Sequence, residues 1–336
     1  MRLVHVRRAF VALAVMLLPA TGVAFSGNPG AVPEASVRAI RLAGPISETR
    51  AELSGLAWLD DELVLLPQFP GRFGGALFAL AGHDVRAAVH GRRTDPLEPH
   101  TIAINAAEVE ARVAGFEGFE AIAFRDDDVY LTIESKRAGL TVGWIVHGTV
   151  ATDRRSIELD SESLRKLAPE AALDNMGFEA LVMSGQDVVA LYEVNAVSNR
   201  APHGIVFGRD LAPLPAVPFA RLEYRVTDAT ALDRLGHFWV TNVYWPGETW
   251  RPADCPLFRR FGKGPTHAAG RGVERLVELG LDRGRIRPTG RAPIQLSLRP
   301  EGTRNWEGIA RLDDDGLLVA TDEHPSTQLA FVAFGP

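Results

Sequence analysis

The chain is poor in cysteine, in basic charge and in long apolar runs. Cys255 is the only cysteine among 336 residues, which excludes an intramolecular disulfide and a thiolate metal site. Acidic residues outnumber Lys and Arg by 42 to 36, and without a basic stripe nucleic acid is not an expected partner. Beyond residue 24 no stretch is long and apolar enough for a membrane helix, so no membrane span is predicted in the mature chain.

Signature motifs of several enzyme classes are missing as well. The sequence has no G-x-S-x-G, no H-E-x-x-H, no phosphate-binding loop and no G-x-G-x-x-G. These motifs place a nucleophilic serine, a zinc ion or a phosphate group. Any chemistry must therefore come from another arrangement of residues.

The N-terminus has the features of a secretory signal. Three arginines precede an apolar run over residues 10–18, which is followed by small residues. This run is too short to cross a bilayer and matches a signal peptide. We predict a signal peptide over 1–24, a linker over 25–36 and a single domain over 37–336, with a periplasmic or secreted location. The sequence does not indicate an oligomeric state.

One short segment recurs along the chain. Its five copies start 49 to 79 residues apart and read LSGLAW (53–58), FEAIAF (119–124), FEALVM (178–183), TDATAL (227–232) and WEGIAR (306–311). The first aligned column holds Ser54, Glu120, Glu179, Asp228 and Glu307, and the next is always Gly or Ala. Repeats at such spacing are typical of propellers and arrays.

Each copy continues as a predicted β-hairpin. A polar turn and a hydrophobic stretch follow the first strand, and a second polar column stands fourteen residues after the first. That column holds Gln68, Glu134, Glu193, Asn242 and, in the last copy, Thr321 or Asp322. Because a hairpin returns the chain to where it began, both polar columns should converge at one end of the fold.

These observations predict an all-β fold, a β-propeller with five blades. A sixth blade is possible if a degenerate copy lies in the gap between the last two. The small column fits inner strands that crowd around a central channel. Residues 221–226 are a candidate fourth strand of the third blade. The segment 37–43 has no partner of its own and is predicted to close the ring beside 328–334, which removes two exposed sheet edges.

The repeats resemble those of exported phytase-like or esterase-like propeller proteins and of the related SdiA-regulated propellers. The resemblance is carried by SGLAWLDDELVLLPQ, GFEAIAFRDDDVYLTIES, NMGFEALVMSGQDVVALYEVN and NWEGIARLDDDGLLVATDEHP, and it covers about residues 45–336. It implies a propeller, and a calcium-dependent hydrolase of phosphoesters or esters. The chain departs from the pattern at Ser54 and in TDATAL, and a shared fold alone does not define a reaction.

The converging columns suggest a calcium site, because many oxygen ligands without His or Cys favour calcium. The predicted ligands are Glu120, Glu134, Glu179, Glu193, Asp228, Asn242, Glu307 and Asp322. Alternatively, each acid binds backbone N–H groups between blades and has a structural role.

Loops that leave the second strands should open on the same face. They carry candidate ligands for an anionic or ester substrate: Arg72, Lys136, Arg137, Arg200 and His203. Surface loops also collect such residues without a function. Glu120 and Glu179 are candidate catalytic carboxylates, and His324 is either a general base or an ordinary loop residue. A long insert over 244–272 is predicted to cover the channel mouth.

Two functions are compatible with these residues. The first is an exported calcium-dependent hydrolase of a small phosphate or ester substrate. The second is a non-catalytic propeller that binds a ligand or protein at the same mouth, with calcium as a structural ion. Glycoside hydrolysis uses a pair of carboxyl groups, but Glu120 and Glu179 belong to a repeated column and are weak evidence for such a pair.

Overall fold

The structure of the protein is a computed structural model that describes residues 32–48, 51–137, 139–171, 173–196, 198–248, 250, 252–322 and 326–335. The predicted signal peptide and His324 lie outside the described residues. None of the helices in the described ranges is long and apolar enough to cross a membrane.

Antiparallel strands dominate the described chain. The first blades use β1 (Arg38–Ile40), β2 (Leu53–Leu59), β3 (Glu62–Pro67), β4 (Ala76–Ala81), β5 (His100–Asn105), β6 (Phe116–Arg125), β7 (Asp128–Arg137), β8 (Leu140–Val150) and β9 (Ser156–Leu167). Next come β10 (Phe178–Ser184), β11 (Asp187–Tyr192), β12 (His203–Phe207), β13 (Pro213–Pro218), β14 (Arg225–Ala229) and β15 (His237–Tyr244). The last are β16 (Val273–Asp282), β17 (Arg285–Pro288), β18 (Ile294–Gln295), β19 (Trp306–Leu312), β20 (Gly316–Thr321) and β21 (Leu329–Ala333).

Helices are short and lie in the connections. They are α1 (Gly82–Val89), α2 (Ala107–Arg112), α3 (Pro256–Phe261) and α4 (Pro265–Ala269), with 3₁₀ turns at Pro45–Ser47 and Pro70–Phe73. Helices α3 and α4 both belong to the predicted insert. The insert is therefore ordered where the structure describes it.

The strands group into five blade-like units that match the repeats, and a parallel pairing of β5 with β9 joins the first two units into one eight-stranded sheet. Blade 1 is β2–β5, blade 2 is β6–β9, blade 3 is β10–β13, blade 4 is β14–β18, and blade 5 is β19–β21 with β1 at its outer edge. The first strands β2, β6, β10, β14 and β19 contact each other in this order, and β19 contacts β2. The inner strands thus form a closed ring, and the fold is a β-propeller.

Apolar packing lies between the blades. Each of five buried clusters joins two neighbouring blades around the ring. Phe119, Phe178 and Trp306, which precede the first polar column in three repeats, are almost fully buried in three of these clusters. Since burial of such side chains contributes about 2 to 3 kcal/mol each, these aromatics hold neighbouring blades together.

The ring is closed by pairing between the two end segments, as predicted. Strand β1 pairs antiparallel with β21, with Ile40 opposite Leu329. Ile40 is buried in the cluster between blades 5 and 1, whereas its neighbour Ala39 is exposed. Part of the predicted linker also pairs with the propeller, since Ala35 forms a parallel β-bridge with Leu296.

The small column of the repeat has a steric cause. At Gly308 of β19, a Cβ atom would stand 2.8 Å from Cγ of Leu56 on blade 1 and 3.1 Å from Cβ of Ala320. Carbon atoms do not approach so closely without a shift of one chain. Gly308 therefore lets two inner strands meet at the channel.

The register of the fourth repeat differs from the prediction. Every inner strand has a β-bulge near its start, and the bulged residues are Ser54, Glu120, Glu179, Thr227 and Glu307. Asp228 lies one position further on, opposite Thr241. The alignment of Asp228 and Asn242 with the acids of the other blades is therefore wrong by one residue, because Thr227 carries no acid to mark the column. Residues 221–226 are likewise not a fourth strand: β13 fills that role and Arg225 opens β14.

Closure by β1 can be tested with a matched pair of substitutions on this strand. Ile40→Asp should destabilise the protein by about 3 kcal/mol or more, because it places a charge in an apolar cluster at the seam. Ala39→Asp should change the free energy of unfolding by less than about 0.5 kcal/mol, because this side chain is exposed. Urea unfolding of both variants measures the difference, and equal losses would contradict closure by β1.

A buried carboxylate cluster at the channel mouth

The bulges bring the two polar columns together at one end of the channel. A bulge bends its strand and re-aims the bulged side chain. Electrostatic coupling links each of the gathered acids to others in the group, so they share one region. We call this end the acidic mouth, and its predicted members are Glu120, Glu134, Glu179, Glu193, Glu307 and Asp322.

The centre of the acidic mouth is occupied by the guanidinium of Arg225. Its Nε donates a hydrogen bond to Glu193, and one Nη donates to both oxygens of Glu179 at 3.2 and 3.3 Å. The other Nη lies 3.3 Å from Glu248, and the Nη that binds Glu179 lies 3.9 Å from Glu307. The Arg225 side chain is only 10% exposed. One cation therefore contacts acids from blades 3, 4 and 5.

Neutral donors hold the remaining carboxylates. Nδ2 of Asn305 donates to Glu307 at 2.5 Å and to Asp322 at 2.9 Å. Nε2 of Gln68 donates to Glu120 at 3.1 Å. These bonds fix Glu120 and Asp322, and they give Glu307 a donor in addition to its ion pair with Arg225.

The acids outnumber the available positive charge, which changes their protonation. Burial raises the pKa of Glu120 to about 7, and nearby Glu193 adds to the effect. Burial and then the neighbouring Glu120 raise the pKa of Glu134 to about 8. Burial also raises the pKa of Glu179 and of Glu307 well above the usual range. Carboxyl groups packed this closely cannot all ionise with a single cation among them.

Arg225 itself is held by a second buried arginine. Asn242 donates from Nδ2 to the backbone oxygen of Arg225 at 2.9 Å, and its Oδ1 accepts from Nε of Arg275 at 2.7 Å. Both Nη atoms of Arg275 lie 3.3 Å from Sγ of Cys255. Asn242 is fully buried. Its predicted role as a ligand at the mouth is therefore corrected to support of the Arg225 backbone.

Asp228 is also placed differently from the prediction. Its carboxylate accepts backbone N–H groups of Ile309 at 2.7 Å, Ala229 at 2.7 Å and Leu56 at 3.3 Å. Burial raises the pKa of Asp228 well above the usual range, although these hydrogen bonds act in the opposite direction. Asp228 therefore ties inner strands of blades 1, 4 and 5 inside the channel, which is the structural alternative for this column.

The geometry of the mouth differs from the predicted calcium site. Among the described residues, no group of three or more His, Cys, Asp or Glu is arranged to hold a metal ion. The guanidinium of Arg225 takes the position between Glu179, Glu193 and Glu307 that a cation would fill. The donors as arranged fit Arg225 and do not fit calcium, and calcium binding in solution stays a prediction.

A cavity of about 560 Å³ opens over Arg225. Its walls come from the segment before blade 3, the start of the insert and the loop before blade 5. Its lining residues are Asp174, Asn175, Met176, Arg225, Trp245, Gly247, Glu248 and Asn305. The acidic mouth therefore meets solvent through a cavity that combines one aromatic side chain with amides and charges.

The predicted substrate-binding residues lie on different loops and strand ends. Arg72 pairs with Glu52 at 2.5 Å, Lys136 lies 3.2 Å from Asp174, and His203 lies 3.5 Å from Glu170. Arg137 and Arg200 are exposed. None of these five basic residues is among the described residues that line the cavity over Arg225. Lys136 reaches the edge of this cavity through Asp174, which lines it.

The insert lies on the predicted face, but of its described residues only the first ones line the cavity over the mouth. Trp245, Gly247 and Glu248 line the cavity. Trp250 is buried with the core between blades 2 and 3, and Phe258 packs with Tyr224. The insert is therefore a wall of the cavity more than a cover over it.

Comparison with known proteins supports the fold. No protein-family profile and no curated protein matches the chain, so the phytase-like and esterase-like resemblance is not supported at the level of a family. The structure is similar to the RS223 β-xylosidase, with a TM-score of 0.50, 9% identity and coverage of 89% of this chain and 96% of the other. A GH43_1 enzyme from Xanthomonas citri gives a TM-score of 0.47 at 10% identity, covering 88% and 91%. At this identity the β-xylosidase shows a shared propeller fold and nothing finer.

Arg225 can be tested by removing its charge. Arg225→Met leaves several buried carboxylates without a cation, so a loss of about 3 to 5 kcal/mol at pH 7 is expected. The loss should shrink at pH 5, where the acids of raised pKa hold protons. Arg154→Met is a matched control, because Arg154 pairs with Asp60 and Asp127, both more than 60% exposed, and such pairs contribute less than about 1 kcal/mol. Denaturant unfolding of both variants at both pH values measures these losses of unfolding free energy. Equal losses for the two variants would contradict the central role of Arg225.

The raised pKa values also predict how stability changes with pH. Glu134 holds its proton to about pH 8 in the folded state and to about pH 4.3 in an unfolded chain. Its contribution to stability is therefore fully present below about pH 4.3 and is lost as the pH rises to about 8. The unfolding free energy of the wild type should fall between pH 5 and 8. In Glu134→Gln the slope of this fall should be smaller, by the amount that corresponds to nearly one bound proton. Glu48→Gln, at an exposed site, should keep the wild-type slope, and an unchanged slope in Glu134→Gln would refute the assignment.

Proposed function

We propose that the protein is a hydrolase of glycosidic bonds that acts at the acidic mouth. One observation carries the proposal: carboxyl groups with raised pKa values stand beside acids held by Arg225 and Asn305, under an open cavity. Glycoside hydrolysis needs one protonated and one ionised carboxyl group at the same bond. Neighbouring acids in unlike environments supply such a pair at neutral pH.

Two residues are assigned to these roles. Glu134 is the general acid, because its carboxyl group has a pKa near 8 and has no hydrogen-bond partner in the described part of the chain. Asp322 is the base, because it accepts a hydrogen bond from Asn305 and is partly exposed at the mouth. Glu120 and Glu179, the acids predicted to be catalytic, are more deeply buried. Their role in this assignment is to shape the electrostatic environment of Glu134 and Asp322. His324 lies outside the described residues and has no role in this assignment.

The charge of the mouth favours a neutral substrate over a phosphoester. A phosphate dianion would compete with the acids for Arg225, and those acids that are ionised would repel it in a partly buried site. A sugar carries hydroxyl groups that carboxylates and amides can bind, and Trp245 offers an aromatic face. The acids at the mouth are Glu120, Glu134, Glu179, Glu193, Glu248, Glu307 and Asp322.

The phosphoester or ester hydrolase implied by the resemblance needs a second cation at the mouth. Calcium would supply it, and the acids, which do not fit calcium as they are arranged, would have to move to bind the ion. This is a second candidate function. It differs from the first in one measurable respect, because its activity disappears when calcium is removed.

A non-catalytic binding propeller is the rival from another class. It is favoured by the complete burial of Glu193 and by the near-complete burial of Glu179, which suit a structural network. In that case the cavity would bind a ligand without turnover. A screen for activity separates the three functions.

The proposal is tested with a panel of neutral aryl glycosides, phosphoesters and carboxylesters, with calcium or with a chelator. We expect hydrolysis of a neutral glycoside that does not depend on calcium. Glu134→Gln and Asp322→Asn should each lower kcat by about 10² to 10⁴, as expected for loss of a general acid or base. Glu48→Gln serves as the control with unchanged activity. Turnover of phosphoesters with calcium alone would favour the second candidate, and no turnover of any substrate would favour the binding propeller.

The pH profile gives an independent test of the acid. Because Glu134 must be protonated to donate, kcat/KM should fall as the pH rises through about 8. A profile measured with the most active glycoside should show this basic limb. A basic limb that persists unchanged in the residual activity of Glu134→Gln would show that another group donates the proton.

A further inference from the structure

A second cavity lies beside the one over Arg225. Its volume is about 570 Å³, similar to that of its neighbour, and it runs between the end of the insert and the loop before blade 5. Its lining residues are Trp245, Pro246, Thr266, Ala269, Gly270, Arg271, Gly272, Leu298, Arg299, Pro300, Gly302 and Thr303.

Two chain segments contribute to both cavities. Trp245 lines both, and of the residues after it Pro246 lines the outer cavity while Gly247 and Glu248 line the inner one. The loop before blade 5 likewise presents Thr303 to the outer cavity and Asn305 to the inner one. The two cavities are therefore adjacent sections of one cleft, with Trp245 at the junction.

The two sections differ in charge. The inner section is lined by Asp174, Glu248 and Arg225 and lies over the acidic mouth. The outer section is lined by Arg271 and Arg299 and, among the described residues, by no acid. Arg299 pairs with exposed Glu301 at 3.2 Å. Arg271 is exposed and has no ion-pair or hydrogen-bond partner within the described part of the chain, so its guanidinium is available to a ligand.

The outer section also offers apolar surface next to its cations. Pro246, Leu298 and Pro300 line it together with the ring of Trp245. Sugar rings present C–H faces that pack on such surfaces, whereas an inorganic anion has none. A guanidinium binds a carboxylate through paired N–H groups. The combination matches a sugar that carries a carboxylate.

We propose that the outer section is a subsite for a uronic acid unit of an acidic oligosaccharide, with Arg271 as the group that binds its carboxylate. The inference rests on the proposed glycoside hydrolase function and deepens it. A chain that lies along the cleft would place its acidic unit at Arg271 and a bond to a further unit under Trp245, over the acidic mouth. This arrangement keeps the carboxylate away from the acids of the mouth.

The subsite is tested by binding, separately from turnover. Trigalacturonate and its fully methyl-esterified form are titrated by calorimetry into the full chain carrying Glu134→Gln, with and without Arg271→Gln. Since a hydrogen bond to a charged group contributes about 1.5 kcal/mol or more, Arg271→Gln should weaken trigalacturonate binding by roughly tenfold. Binding of the ester should be weaker than that of the acid and should not change with the substitution.

Arg287→Gln is the control, because Arg287 lies on outer strand β17 and pairs with Asp282 at 3.0 Å. It should leave both affinities unchanged. Equal binding of acid and ester, no effect of Arg271→Gln, or no binding of either probe at millimolar concentration would overturn the subsite. Charge-selective binding that depends on Arg271, together with a lack of any glycoside turnover, would retain the subsite and reject the hydrolase.

Discussion

The guanidinium of Arg225 connects acids from three blades at one end of the channel. It donates to Glu193 and Glu179 of blade 3 and lies near Glu248 of blade 4 and Glu307 of blade 5. The desolvation of such a group is costly, and good geometry with every donor satisfied is needed to offset it. Here four carboxylates surround one guanidinium. The donors of the guanidinium therefore have acceptors, whereas the carboxylates share a single positive charge. Burial, and then the excess of acid, raises the pKa values and gives the mouth its chemistry.

The channel is polar at one end and apolar at the other. Inner strands run from the acidic mouth toward Leu56, Ile122, Leu181 and Ile309, which line a small cavity at the far end. Asp228 lies between, and its bonds to backbone N–H groups of blades 1 and 5 close the ring from inside. Closure on the outside comes from β1. The Asp228 hydrogen bonds and the β1–β21 pairing hold the blades in place. The acids at the mouth therefore keep fixed positions without a covalent link.

The repeats contain enough information to predict the propeller, the count of blades and the closing strand. Each inner strand carries small residues, because inner strands meet closely around the channel. The repeats also predict that Glu120, Glu134, Glu179, Glu193, Glu307 and Asp322 converge. Thr227 carries no charge, so an alignment of the fourth repeat by its acid selects Asp228 and is wrong by one residue.

Arg225 could not be found in the same way. It occurs in one repeat only, at a position where blades 2 and 3 have Gly118 and Gly177, and it lies in a segment that resembles an outer strand. The sequence predicts a cation among the acids but does not identify it as a side chain of the protein. An excess of acids that converge, with one arginine directly before an inner strand, is the pattern that could have revealed it.

The most direct measurement is a pH titration of the side-chain carboxyl carbons in ¹³C-glutamate-labelled protein by NMR, with the Glu134 resonance assigned by its loss in Glu134→Gln. We expect a midpoint near 8 for this carboxyl group, set by burial and by acids that Arg225 alone does not neutralise. A midpoint near 4.3, the value of an ordinary glutamate, would contradict the proposed chemistry, because Glu134 would then be ionised at neutral pH and could not act as the general acid.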